Sequence, residues 1–252
     1  MAAFNHLKNN SSDWLMLRAL VLIATISGLL VVMSFSLSKP YIESNKQQAI
    51  DKALFELVVN ASDKKEFIIA GDKILPASEL MQLKQEQSSE AEIKPLYALY
   101  NKQEKLISLA LQAEASGYQD KIQILYTFDP KCQCIRGIKV LKMAETPGIG
   151  DKISSDKDFL QNFIELDTSL NEDWGTLKNK IVSVKHGKKR HLWEIDSISG
   201  ATISSSAVAR MLNQSAQQFV PIIMKHLSFL QSKVLHRKPG QQGKAVLELS
   251  HE

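Results

Sequence analysis

The run ALVLIATISGLLVVMSFSL, from Ala19 to Leu37, holds nineteen residues and no charge. That is close to the ~20 residues a helix needs to cross the hydrocarbon core of a bilayer. Arg18 precedes it and Lys39-Pro40 follows it. A cleaved signal peptide would carry an apolar core of only ~7–15 residues before a small-x-small cleavage site. The run is too long for that, and no convincing A-x-A comes after it; a buried helix of a soluble fold is the other competing reading. The chain therefore reads as an N-terminal tail (1–18), a single transmembrane helix (19–37) and a body beyond it. Lys8 and Arg18 lie before the span and Lys39, Lys46 and Lys52 after it. The positive-inside count thus gives almost no preference. A short tail before an early anchor favours export of the body. The expectation is a single-pass protein of the inner, cytoplasmic membrane with its body on the extracytoplasmic, periplasmic side.

Past the anchor, helical spacing of Ile50, Ala53, Leu54, Leu57 and Val58 extends the helix into a membrane-proximal segment. EFIIAGDKIL reads as a hairpin turning at Gly71-Asp72. PASELMQLKQEQSSEAE, residues 76–92, is polar and fits either a helix or a flexible insertion. These pieces make a membrane-proximal helix and hairpin region over 38–93. From 94 to 235 the pattern changes. PLYALYN, KLISLALQAEA, DKIQILYTF and KCQCIRGIKVLKM read as neighbouring antiparallel strands, broken at Ser116-Gly117 and Asp129-Pro130. AETPGIGDKI is a Gly- and Pro-rich loop, and SDKDFLQNFIEL a short helix capped by Ser155. IVSVK and HLWEI are two further strands joined by the basic turn HGKKR. A long helix comes next, with Val208, Met211, Leu212, Ser215, Phe219, Ile222 and Ile223 on its apolar face and a kink at Pro221. The tail 236–252 lacks a sustained period and reads as disordered. The fold class is α+β: a mostly antiparallel sheet packed with helices, preceded by a single N-terminal transmembrane helix.

A net charge of +4, without aromatic residues interleaved among the basic ones, gives no nucleic-acid surface. The histidines show no zinc spacing, so no metal is implied. Cys132 and Cys134 form a C-x-C that reads first as two thiols, with a bridged or redox-active pair as the alternative.

The stretch DSISGATISSSAVAR, residues 196–210, is longer than a helix cap requires. Ser204, Ser205 or Ser206 could cap the helix. That leaves Ser199, Gly200, Ala201 and Thr202 unexplained. A phosphate cradle accounts for more of the stretch, since small residues admit backbone approach and a helix N-terminus favours an anion. It is not a Walker A loop, and no G-x-S-x-G or Ser/His/Asp arrangement is present. Cap and cradle both remain open on the residues alone.

DSISGATISSSAV resembles the flavinylation motif of FMN-binding domains in membrane electron-transport complexes, matching at Asp196, Ser199, Gly200, Ala201, Thr202 and Ser204. A second family feature, Glu-Thr-Pro-Gly-(Leu/Ile)-Gly, is present as Glu145, Thr146, Pro147, Gly148, Ile149 and Gly150. The order ASGYQDKI, ETPGIGDKI, Asp173-Trp174 and SGAT also resembles that family, over roughly residues 95–230. Its best-known carriers are the G subunit of the Rnf complex, the nearer likeness, and the C subunit of the sodium-translocating NADH:quinone oxidoreductase. The resemblance implies an electron-carrying subunit rather than a complete enzyme. Its FMN would be attached through a phosphodiester to Thr202 by a separate flavin transferase using FAD and Mg²⁺, with Asp196 among the groups that transferase recognises. The loop Glu145–Gly150 would lie against the isoalloxazine ring, Ser205 would join the phosphate contacts, and Lys152 could balance a reduced flavin. Other membrane subunits would give and take the electrons of an ion-translocating complex. A structural or regulatory module that is never flavinylated and a free-standing flavin reductase are the rival readings. Cys132 and Cys134 fall outside the family pattern.

Overall fold

One antiparallel sheet of seven strands organises the computed structural model, which describes residues 10–79 and 93–232. A single helix, α1 (Asn10–Leu57), precedes it and passes through Pro40. The uncharged run lies inside α1 with its side chains exposed throughout, and the helix is long and apolar enough to cross a membrane. Contacts divide the chain between Asp51 and Lys52 into two units.

Within the second unit, β1 (Asp63–Ala70) and β2 (Lys73–Pro76) form the hairpin expected at Gly71-Asp72. Gly71 holds the left-handed φ of +59° that so tight a turn demands. Then come β3 (Ile93–Tyr100), β4 (Leu106–Ser116), β5 (Lys121–Asp129), β6 (Cys134–Lys142) and the two-residue β7 (Leu166–Asp167). The order across the sheet is β2-β1-β3-β4-β5-β6-β7, so from β3 onward each strand pairs with its successor in the chain. Side chains alternate between the faces of a strand. Leu109, Leu111, Ile122, Ile124, Tyr126 and Phe128 take one face and enter the main core. Ser108, Ala110, Leu125 and Thr127 take the other and are also buried. On that second face Leu57 crowds β6, lying 3.0 Å from where a Cβ on Gly137 would stand. Lys139 pairs with Glu56 at 2.8 Å beside it.

Helix α2 (Lys157–Gln161) is capped by Asp156, not Ser155. Asp156 is in extended conformation, and its carboxylate accepts from the Phe159 amide at 2.9 Å, which satisfies one of the orphan donors of the first turn. The strands expected around IVSVK and HLWEI are β8 (Val182–Val184) and β9 (Glu194–Asp196). They pair in parallel, so the basic segment between them is a crossover and not a hairpin turn. Asp196 Oδ2 accepts from the Gly187 amide at 2.9 Å and pins that crossover.

Helix α3 (Thr202–Lys225) buries Val208, Met211, Leu212, Ser215, Phe219 and Ile223, as the 3.6-residue period requires, and runs on through Pro221. The Tyr126 hydroxyl and Ser215 Oγ, 2.8 Å apart and buried, tie α3 to β5. Burial pushes the Tyr126 phenol above its ordinary range, which keeps it protonated and able to donate. A last short helix, α4 (Leu227–Gln231), is fastened by the Tyr100 hydroxyl, which donates to Leu230 O at 2.7 Å.

The cysteines correct the sequence reading. Cys132 and Cys134 are joined in a disulfide at the turn between β5 and β6, their Cα atoms 5.2 Å apart. Gln133 between them has φ +51°. That left-handed residue folds the chain back on itself, so the two sulfurs meet as they could not in an extended strand. The greater part of the polar segment 76–92, from residue 80, and the tail 236–252 lie outside the described residues.

Candidate functional site

The N-terminus of α3 opens onto a cleft of about 450 Å³. Tyr118 from the β4–β5 turn, Glu145, Thr146, Ile149 and Gly150 from the Gly/Pro loop, and Gly200 to Ser204 line it. The two sequence stretches that carried the resemblance are thus walls of one cavity. Pro147 and Gly148 belong to the loop without lining the cleft; Gly148 holds φ +75° and turns the chain there.

Gly200 explains the start of the helix. Its φ is +83°, a conformation that side-chain-bearing residues resist, and it turns the chain out of β9 into α3. The helix begins at Thr202, two residues before the serines read as its caps. Its N-cap is Ala201, with no side-chain hydrogen bond, so no serine caps it. The first bond of the helix ladder runs from Ser205 N to Ala201 O at 2.9 Å. The amides of Thr202, Ile203 and Ser204 therefore precede the ladder and point out of the helix end. Aligned peptide dipoles add partial positive charge there. Thr202 is exposed at that opening, and no hydrogen bond to its hydroxyl is found among the described residues.

The next serines have other partners. Ser205 is fully buried, accepts from the Ile198 amide at 3.1 Å and donates to Ala201 O at 2.9 Å. Its hydroxyl braces the Ile198–Ala201 bend and is turned away from the cleft. Ser204 is buried too and donates to Glu145 Oε2. Glu145, only 6% exposed, also accepts from the amides of Tyr118 at 3.0 Å and Gln119 at 3.2 Å. One carboxylate thus joins the β4–β5 turn, the Gly/Pro loop and α3. Two glycines make room for it. A Cβ on Gly117 would stand 2.3 Å from Glu145 Oε1, and one on Gly150 would stand 2.8 Å from Oε2 and 2.9 Å from Ser204 Oγ. Sequence reasoning placed Glu145 against a ligand; the residue does line the cleft, and its carboxylate turns inward as the knot of the site. Nothing in the ETPGIG pattern itself signals that inward turn. The signal lay in Gly117, read only as a break between strands.

Asp196 and Ser199 lie elsewhere. They line a second, more polar cleft of about 280 Å³ with Lys152, Asp156, Asp158 and His186. His186 Nδ1 stands 3.7 Å from Asp196 Oδ2, while Asp196 Oδ1 is buried without a partner among the described residues. Lys152, which reads either as a partner of a reduced flavin or as a solvated lysine, is exposed and lines this second cleft. Lys189 donates to Asn162 Oδ1 at 3.0 Å, and burial lowers its pKa although Asp196 and Glu194 pull the other way. The motif is therefore split: Gly200, Ala201, Thr202 and Ser204 front one cleft, Asp196 and Ser199 the other.

The main cleft suits a flat, partly apolar molecule that ends in an anion. Tyr118, Ile149 and Ile203 are 66%, 51% and 53% exposed at its rim, a grouping of bare apolar surface beside the helix end. The open helix end supplies unpaired donors next to them.

Residues 117–217 match the family model of the FMN-binding domain. The chain is 31% identical over 113 residues to the G subunit of the ion-translocating oxidoreductase complex of Methanosarcina acetivorans, covering 44% of this chain and 50% of that protein. To the corresponding G subunit of Photorhabdus laumondii it is 30% identical over 131 residues, 50% of this chain and 56% of the relative. The chain spans about half the length of the curated relatives it matches. Among solved structures, NqrC of Shewanella oneidensis superposes with a TM-score of 0.49 at 19% identity, over 69% of this chain and 86% of that one.

Proposed function

We propose that this chain, whose residues 117–217 match the FMN-binding domain family, is a membrane-anchored electron-carrier subunit of an ion-translocating oxidoreductase complex. It resembles the G subunits of such complexes in sequence. In this reading α1 is the anchor, the FMN domain lies on the periplasmic side of the inner membrane, and other membrane subunits are its redox partners. The bound flavin supplies the electron transfer, and the protein supplies attachment, orientation and tuning.

The observation that carries the reading is the placement of Thr202. It is an exposed hydroxyl at the first position of a 24-residue helix, on the wall of a cleft with an apolar rim. A flavin transferase would join FMN to Thr202 Oγ in a phosphodiester; the hydroxyl loses its proton and the adenylate half of FAD leaves. The amides of Thr202, Ile203 and Ser204 would then face the phosphodiester anion, at the end of the helix where negative charge is favoured. Ile149, Ile203 and Tyr118 would bear on the ring. Asp196 and Ser199 stand close in sequence to Thr202 but on the second cleft, a suitable handhold for the transferase that leaves the flavin cleft free.

The test is co-expression with a flavin transferase, followed by denaturing electrophoresis and ultraviolet illumination of the gel. A fluorescent band that survives denaturation and is absent from Thr202→Ala supports the reading. A dark wild-type band, with the transferase active on a known acceptor, overturns it.

A further inference from the structure

We infer that the Cys132–Cys134 disulfide is a thiol–disulfide exchange site, opened by a dithiol reductant at the Cys132 sulfur and coupled to the segment Leu166–Lys178. It stands independently of the flavin reading, since none of its residues lines the main cleft.

The two cysteines differ in access. Cys132 is exposed, whereas Cys134 is 4% exposed and held between two neighbours, paired with Asp129 of β5 and Asp167 of β7. Thiol–disulfide exchange proceeds by attack of a thiolate on whichever sulfur it can reach. A reductant's thiolate would bond to Cys132 Sγ, the S–S bond would break, and Cys134 would leave as a thiolate and take up a proton. The reductant's second thiol would then displace Cys132 as a thiol and close the reductant's own disulfide. Two electrons and two protons pass to the protein, and the dithiol is oxidised in balance.

The residue between the cysteines transmits the change. Gln133 is one of only three non-glycine residues with positive φ among the described residues. A side-chain-bearing residue holds that conformation where its surroundings fix it. The disulfide ring is one constraint. The others are hydrogen bonds from the next segment: the Thr168 amide at 3.0 Å and Thr168 Oγ1 at 2.7 Å donate to Gln133 O, and the Leu170 amide donates to Gln133 Oε1 at 2.9 Å. Residues 170–177 close a loop on these bonds, with Leu170 bridged to Leu177 and the Asn171 side chain bonded to Gly175. Trp174, 55% exposed and itself at φ +58°, sits on that loop and shares a groove with Gln133 and Lys178. Opening the disulfide frees Gln133 to relax toward negative φ, which withdraws the acceptors of Thr168 and Leu170.

The full chain is treated with dithiothreitol under native conditions, alkylated with N-ethylmaleimide and weighed, while amide exchange is followed at Thr168 and Leu170. The expected result is no alkylation before reduction and two adducts after it. A parallel reaction with glutathione should place the mixed disulfide on Cys132. Exchange at the Thr168 and Leu170 amides should quicken at least tenfold on reduction and be equally fast in the Cys132→Ser/Cys134→Ser variant, with the sheet amides of β4 unchanged. Free thiols in the air-oxidised protein, a disulfide that yields only after denaturation, a glutathione adduct on Cys134, or unchanged exchange at Thr168 and Leu170 would each overturn the inference.

Discussion

Ser204 in the first turn of α3 donates its hydroxyl to Oε2 of Glu145, a residue 59 positions earlier in the chain. The same carboxylate takes the amides of Tyr118 and Gln119. It is buried, and it ties its own loop to donors from two other segments, so that one side chain holds the cleft walls together.

Removing that carboxylate should cost stability and shape at once. Glu145→Ala leaves the buried Ser204 hydroxyl and the two part-buried amides of Tyr118 and Gln119 without their acceptor. A buried unsatisfied group costs about 1–3 kcal/mol, and the two amides, within reach of water, cost less. With partial relaxation, a loss of about 3 kcal/mol is expected in urea unfolding. Ser204→Ala, which removes one donor and spares the two amides, should cost about 1–2 kcal/mol. Equal losses in the two variants would contradict the role assigned to Glu145.

Gly150→Ala tests the same point by addition. The new methyl would meet Glu145 and Ser204 inside 3.0 Å, and both are held by their mutual bond. Overpacking of this kind costs about 1–3 kcal/mol. Gly175→Ala, where a Cβ meets nothing within 4 Å and the φ is not left-handed, is the matched control and should be nearly neutral.

Gly200→Ala asks about backbone and not space, because a Cβ there is unobstructed while the φ is +83°. A left-handed alanine costs about 1–2 kcal/mol. The helix start should shift as a result, so covalent flavin per chain should fall well below wild type even where the protein still folds. Absorbance of flavin retained after denaturation, normalised to protein, measures it.

Glu194 predicts a pH dependence. The Arg190 amide donates to it at 2.6 Å and the His191 amide at 3.1 Å, and these bonds hold its carboxyl below the usual glutamate range. The folded state therefore binds a proton less readily than the unfolded chain. The contribution to stability is complete above the unfolded pKa of about 4.3 and fades as pH falls through the lower folded value. Urea midpoints of wild type and Glu194→Gln should differ at neutral pH and converge at the acid end. A gap that widens on acidification would refute the assignment.

Much of the fold was legible because its signals are local. The strands around Leu109, Ile124 and Ile138 announce themselves by alternation and by turns at Gly71 and Ser116-Gly117, and α3 by the spacing of Val208, Leu212, Ser215 and Phe219. The features that stayed hidden depend on contacts between distant segments. The inward turn of Glu145 requires room made by Gly117 and Gly150, and no period encodes that. Ser205 resembled a cap because serines before an apolar helix commonly are; its role comes from the bend at Ile198, which exists only once Gly200 has turned. The parallel pairing of β8 and β9 was invisible for the same reason, and the disulfide depends on the left-handed turn at Gln133, where a strand was the obvious guess.

From β3 to β7 each strand finds its partner next to it in the chain, whereas the cleft needs Tyr118, Glu145 and Ser204 gathered from far apart. Closure over short spans is rapid, and closure over long ones is slower. The N-terminal end of α3 should thus take its place in the cleft late in folding: a chain could possess its whole sheet and still lack a pocket, and attachment of a ligand at Thr202 would mark the molecules that have finished.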